Sequence, residues 1–200
     1  MKSLIIEVDA YKLEVPGYDP KKSWKYHKQS AKLADVVFKQ ALKNAQYKKV
    51  VLMCGGSASG KSEFVSSNLI DKGVIVYDGT LSSIEGAKVK IRNSKRKRKN
   101  VEINAIIPDN ITKVFRAFLA RDRTIPIDVF IETHSLCRST LLWILEHQMD
   151  IDVKIYESSV KKDKLRVDEL IFGDRNDMTK YVKLIQISKQ EIRKLIQLQP

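Results

Sequence analysis

Gly55, Gly60, Lys61 and Ser62 stand in the spacing Gly-x-x-x-x-Gly-Lys-Ser, inside the stretch VVLMCGGSASGKSEF from Val50 to Phe64. That spacing suits the binding of a chain of phosphates. Glycines let the backbone curl until successive N–H groups face one anionic centre, and a helix starting at Ser62 would add the positive end of its dipole. Lys61 would reach the outer phosphates and the Ser62 hydroxyl would hold Mg²⁺. The same pattern occurs by chance in Gly/Ser-rich turns. Here an apolar strand, Val50–Cys54, precedes it and a helix pattern comes after it, which is the context a nucleotide site requires. The expected nucleotide set is Gly55, Gly56, Ser57, Ala58, Ser59, Gly60, Lys61, Ser62 and Glu63. The nucleoside triphosphate is ATP or GTP.

Other residues with chemical potential fall downstream. Val74–Tyr77 reads as a second buried strand that delivers Asp78 at its carboxyl end. Ligands of parallel α/β sheets bind at that end, so Asp78 should share the loop's cleft. There it would organise Mg²⁺ or act as base toward an acceptor hydroxyl; turn chemistry alone is the plainer explanation. Arg116, Arg121 and Arg123 come after a third strand and suit a lid that neutralises charge on a transferring phosphoryl group. Glu132 and His134 lie in a segment expected near the cleft, where with Thr80 they are candidate substrate contacts; as a metal pair they lack further ligands. Cys54 and Cys137 point to no disulfide framework.

These side chains need an α/β scaffold, and the sequence supplies its parts in order. Leu4–Val8 reads as a short strand. Asp19-Pro20 opens a helix whose apolar positions run from Trp24 to Leu42 at helical spacing. The helix after the phosphate loop should end near Gly73. Ser82-x-x-Glu85 reads as a capping box opening a helix to about Ser94. Val101–Ile107 is the third strand, with a helix starting at Pro108-Asp109. The stretch from Thr124 to about His147 is a helix, or two broken near Ser135, with Ile127–Ile131 also readable as a strand. Ile151–Tyr156 is the fourth strand, and Glu157-Ser158-Ser159 stands at its carboxyl end. Leu165–Phe172 suggests a hairpin or short strand. A last helix is expected over Met178–Leu198.

The chain has 200 residues, enough for one substantial domain. It divides into an N-terminal extension and helix (1–48), a nucleotide core (49–160) with a lid at about 116–135, and a C-terminal extension (161–200). Thirty-seven Lys and Arg against 24 Asp and Glu give a net charge of +13. That excess favours anionic partners: nucleotides, nucleic acid or an acidic protein. Eight cations lie between residues 88 and 99 with no acid among them. No aromatic residue interleaves with them, so a base-stacking surface is not indicated and a solvated loop is the expectation for 95–99. No apolar run approaches the ~20 residues of a membrane helix, and the start has no signal-peptide pattern. The chain is read as cytoplasmic.

Taken together, the order of strand, phosphate loop, helix, strand-Asp, helix, strand and arginine helix resembles the zeta-toxin-like P-loop kinases. VYDGTLSS resembles that family's acid-Gly-Thr segment, and VEINAIIPDNITKVFRAFLARDRTIPIDVFIETH resembles its strand, arginine helix and lid. MDIDVKIYESS resembles its terminal strand. The resemblance covers roughly residues 50–160. It implies a three-layer α/β/α fold with a mostly parallel sheet, and phosphoryl transfer from Mg-ATP to a sugar hydroxyl of a nucleotide-sugar. Lys61 and the three arginines would then serve catalysis, Ser62 and Asp78 the metal, and Asp78 or Thr80 the acceptor region. Departures limit what carries over. Only sixteen residues separate Lys61 from Asp78, the usual Asp-Asn-Ser ending is Glu157-Ser158-Ser159, and the lid lacks its glycine pair before Ile125-Pro126. The acceptor is therefore expected only to be a small hydroxyl compound. The rivals are a nucleic-acid-directed enzyme, such as a polynucleotide kinase or ATPase, and a non-catalytic nucleotide-binding module.

Overall fold

The computed structural model describes residues 1–121, 125–161 and 164–197. Its centre is a six-stranded sheet built from β1 (Leu4–Glu7), β2 (Lys49–Cys54), β3 (Ile75–Asp78), β4 (Asn100–Pro108), β5 (Asp152–Lys161) and β6 (Lys164–Glu169), in the order β1-β3-β2-β4-β5-β6. The first five strands are parallel and β6 pairs antiparallel with β5. Strands covered on both faces need apolar residues at every position, which is why β2 reads VVLMC without alternation. Its side chains still divide by parity. Val50, Leu52 and Cys54 enter one core with Phe38, Ile91 and Leu141, whereas Val51 and Met53 enter a second with Phe64 and Val65.

The first core is covered by α1 (His27–Ala41), α3 (Ile84–Arg96), α5 (Ile127–His147) and α6 (Arg175–Leu184). The opposite face carries α2 (Lys61–Asn68). The outcome is the expected three-layer α/β/α arrangement around a mostly parallel sheet. A third apolar cluster joins α4 (Ile111–Leu119), the start of α5 and α7 (Lys189–Gln197) through Phe115, Phe118, Phe130 and Ile192.

Several boundaries differ from the sequence expectation for local physical reasons. Asp19 caps as anticipated by accepting from the Lys21 amide at 2.9 Å. The cap opens a 3₁₀ segment, however, Pro20–Tyr26, interrupted at Lys22 (φ −122°, ψ 26°) before α1 begins. Ser83 rather than Ser82 caps α3, accepting from Gly86 N; Ser82 instead pairs with Thr80 at 3.0 Å. Asn110 caps α4 through the amides of Thr112 and Lys113. Residues 127–147 form one unbroken helix through Ser135, not a strand. The expected last helix is two helices. Ser188 and Glu191 form a reciprocal capping box that starts α7 afresh: Ser188 N donates to the Glu191 carboxylate at 2.8 Å, and Glu191 N to Ser188 Oγ at 3.2 Å.

The basic run is also more structured than a solvated loop. Lys95 and Arg96 close α3, where cations offset the helix dipole. Lys95 pairs with Asp150 at 2.8 Å. Lys99 is buried, and its ammonium donates to the carbonyls of Asn44 and Tyr47 behind α1.

Candidate functional site

β2 ends at Cys54, α2 begins at Lys61, and the six residues between them form a tight loop. Gly55 (φ 149°), Ala58 (φ 62°) and Gly60 (φ 90°) take positive φ. Gly55 is required sterically as well: a Cβ there would lie 2.5 Å from the Ile106 carbonyl oxygen. At Gly56 a Cβ would lie 2.3 Å from the His134 ring. Such a path turns amides toward one centre at the start of α2, the arrangement that binds phosphates.

The reactive side chains converge beside this loop. Lys61 is buried, with its ammonium donating to the Gly56 carbonyl at 2.7 Å and to Ser59 Oγ at 3.4 Å. Burial lowers its pKa, while Asp78 opposes that shift. Asp78 ends β3, directly beside the loop strand in the sheet. Ser62 Oγ donates to its carboxylate at 2.7 Å. Burial raises the Asp78 pKa, and Lys61 and the Ser62 hydrogen bond counter that effect. Gly55 N donates to the Thr80 carbonyl at 3.1 Å, tying the loop to the segment after β3.

A cleft of about 200 Å³ opens here, lined by Lys61, Ser62, Asp78, Thr80, Lys90 and Arg121. Beside it, a second hollow of about 440 Å³ runs along Ala58–Glu63 and again reaches Arg121. Lys61, Ser62, Asp78, Thr80 and Arg121 are thus brought together. Three other expected residues are not. Arg116 lies on the exposed side of α4 and lines neither space. Glu132 is exposed and pairs with Lys189 of α7 at 2.6 Å, away from the cleft. His134 is fully buried beneath the loop instead of facing an acceptor. Arg123 lies outside the described residues. Glu157, expected at the active edge, lines a different cavity, because β5 continues to Lys161 and pairs with β6.

His134 and its neighbour are the contacts that sequence spacing did not disclose. His134 Nε2 meets the Ser57 carbonyl at 2.8 Å, which makes Nε2 the donor nitrogen. Burial and the Arg138 charge pull its pKa down to about 3, so the ring is neutral at ordinary pH. Thr133 Oγ1 accepts from the Ser57 amide at 3.1 Å and lies 3.2 Å from Ser57 Oγ, while its own proton is directed to the Val129 carbonyl at 2.8 Å. The start of α5 thereby grips the loop across 76 positions of sequence. Glu7 and Asp9 were missed as well. They flank the carboxyl end of β1 and line the same cleft, and Glu7 stands opposite Asp78 in the parallel register. The strand itself was visible; its place beside β3 was the missing step.

The residues present fit Mg²⁺ and a triphosphate. Ser62 Oγ and the Asp78 carboxylate are hard oxygen donors, which suit Mg²⁺ when water and phosphate complete its shell. Among the described residues no group of three or more His, Cys, Asp or Glu could hold a metal by itself. No described helix is long and apolar enough to cross a membrane.

No family model matches the chain, and no curated protein matches it. Solved structures do share its fold. The chain is similar to the AvrRxo1-ORF1:AvrRxo1-ORF2 complex crystallised with sulphate ions, at 13% identity and a TM-score of 0.52. It is similar to the AvrRxo1-ORF1:-ORF2 complex with ATP at 14% identity and a TM-score of 0.53. Each match covers 89% of this chain and 76% of that one. At this identity the likeness is one of fold.

Proposed function

We propose that this protein is an ATP- and Mg²⁺-dependent phosphotransferase that moves the γ-phosphate to a hydroxyl of a small acceptor. The observation that carries this reading is the Ser62–Asp78 hydrogen bond at 2.7 Å beside Lys61, at the mouth of a glycine-bounded phosphate loop. A simple turn would not need a buried lysine and a buried carboxylate on the same cleft. The ATP in the AvrRxo1-ORF1:-ORF2 structure of like fold supports it further. So does the resemblance to zeta-toxin-like kinases.

In this reading the loop amides and Lys61 hold the phosphates, with Lys61 placed to offset charge on the γ-phosphoryl group. Its Gly56 contact holds the ammonium in the loop until a phosphate takes that place. Mg²⁺, when bound, would neutralise phosphate oxygens and so lower the barrier to displacement at the γ-phosphorus, with ADP leaving. Ser62 through its hydroxyl and Asp78 through the carboxylate that accepts the Ser62 hydrogen bond would hold the metal. Arg121 lines both spaces and would supply positive charge beside the transferring phosphoryl group. The acceptor hydroxyl enters the cleft by Asp78 and Thr80, and its proton passes to a carboxylate there. A space of about 200 Å³ admits a small molecule or one end of a larger one.

Binding measurements separate the roles. Lys61→Ala should weaken ATP binding and reduce transfer on the order of 10²-fold or more while the fold is retained. Asp78→Asn should weaken Mg-ATP binding but leave metal-free ATP binding nearly unchanged. Equal ATP binding by wild type and Lys61→Ala, with or without Mg²⁺, would overturn the assignment.

A further inference from the structure

Beside α5, a cavity of about 610 Å³ lies between the carboxyl end of β4, Glu157 in the middle of β5 and the elbow joining α6 to α7. It shares no lining residue with the two spaces at the phosphate loop. Its walls are mainly apolar: Ile107, Ile111, Leu184, Ile185 and Ile187. Set into that wall is Arg138, only 4% exposed. Nη1 of Arg138 donates to the His134 carbonyl at 2.7 Å, whereas its Nε is buried with no partner. Among the described residues it forms no ion pair.

A buried guanidinium in such surroundings is expensive unless an anion answers it. Buried charges in folded proteins are normally paired, so an unanswered one on a cavity wall calls for a ligand. We infer that this cavity binds a small organic monocarboxylate, its head group on the Arg138 guanidinium and its apolar body on the isoleucine–leucine wall. The volume falls within the usual range for small-molecule sites. Guanidinium suits carboxylate because its N–H fork matches the two oxygens.

The other charged groups of the cavity restrict the charge of the ligand. Lys194 adds one cation, while Asp109, Glu157 and Glu191 add carboxylates. Glu191 is already engaged by the Ser188 amide, and Glu157 stands near Tyr181, whose pKa is raised by burial and then by that carboxylate. These acids would repel a polyphosphate. With Arg138 and Lys194 set against three carboxylates, a single negative charge seated on Arg138, carried by an apolar body, is the most this lining accommodates.

The test is calorimetric titration of the full chain with 4-methylpentanoate, with its neutral isostere 4-methylpentanamide as control. Saturable binding of the acid and roughly tenfold weaker binding of the amide are expected, the loss matching removal of a charge-assisted hydrogen-bond pair. Arg138→Gln should abolish the difference between acid and amide. Because Arg138 also holds α5 through His134, a second pair of variants avoids the core. Leu184 is 85% exposed at the cavity mouth. Leu184→Asp should weaken the acid several-fold, and Leu184→Lys should not. Equal losses in both Leu184 variants, equal affinity for acid and amide, displacement of the acid by ATP, or no binding would each overturn the inference.

Discussion

At the scale of single residues, His134 is the most instructive side chain. It resembles a ligand in sequence, two positions from Glu132 in a segment expected near the cleft. In the structure its ring packs under Gly56 and its Nε2 proton is given to Ser57. This placement fixes the sign of a pH effect. The folded ring resists protonation down to about pH 3, while an unfolded histidine takes a proton near 6.5. The unfolded state therefore binds more protons between those values, and stability is present above pH 6.5 and lost as the pH falls through the window. Urea melts from pH 6.5 to 5, above the carboxylate range, should lose about 1.4 kcal/mol per pH unit near full slope. His134→Gln should flatten that slope; an unchanged slope would mean the ring titrates in the fold.

The neighbouring glycine offers a complementary check. Gly56→Ala places a methyl 2.3 Å from a ring that cannot move freely, and should cost about 2 kcal/mol or more in stability. Adding His134→Ala should recover part of that loss, because the clash is with this ring and the two effects are coupled. Additive losses in the double variant would place the strain elsewhere.

At the scale of elements, α5 connects the site to the rest of the molecule. Its first turns grip Ser57, and its middle packs Cys137 and Leu141 into the main core. Its carboxyl end is held by Arg175, which donates to the carbonyls of Ile144, Leu145, Gln148 and Ile151 at 2.8–3.1 Å. A cation that satisfies the last carbonyls of a helix and meets its dipole stabilises that end. Arg175→Ala should cost about 2 kcal/mol, and Arg175→Lys should recover little, since an ammonium cannot reach four carbonyls from one position. Thermal denaturation of both variants gives the answer. Full recovery by lysine would assign the effect to charge alone.

The elements also explain what sequence could and could not disclose. β2 and β3 were legible because strands buried on both faces are short apolar runs, β4 because Val101, Ile103 and Ala105 alternate before Ile106 and Ile107, and Gly-x-x-x-x-Gly-Lys-Ser marks its own loop. The break between α6 and α7 was missed because Tyr181 to Ile196 keeps apolar residues close to helical spacing on both sides of it. Ser188-x-x-Glu191 was the signal that could have placed it. Ser83 displaced Ser82 as the α3 cap because adjacent serines offer the same chemistry and only the turn decides. Thr133 and His134 were not legible as loop partners: nothing local links them to Ser57.

At the scale of the whole molecule, the sheet order sets the geography. The chain leaves β2 for β3 on one side and later reaches β4 on the other, so a crevice opens above the carboxyl end of β2, where the phosphate loop lies. β1 next to β3 brings Glu7 and Asp9 to the same edge. The expectation of anionic partners rested on the net charge of +13. Yet the cleft holds three carboxylates, Glu7, Asp9 and Asp78, as well as Lys61, Lys90 and Arg121. Net charge describes the surface as a whole, and local pairing decides the site. Several surface cations, such as Lys95 and Lys183, are paired with acids.

Transfer of radiolabelled γ-phosphate from Mg-ATP tests whether the phosphate-loop cleft is a kinase site. Wild type and Lys61→Ala would be incubated with nucleotide-sugars, nucleosides, simple polyols and a 5′-hydroxyl oligonucleotide. Label should appear on a small hydroxyl compound with wild type, nearly all of it should be lost with Lys61→Ala, and none should appear without Mg²⁺. Label confined to the oligonucleotide, or equal transfer by the Lys61→Ala variant, would contradict the proposed function.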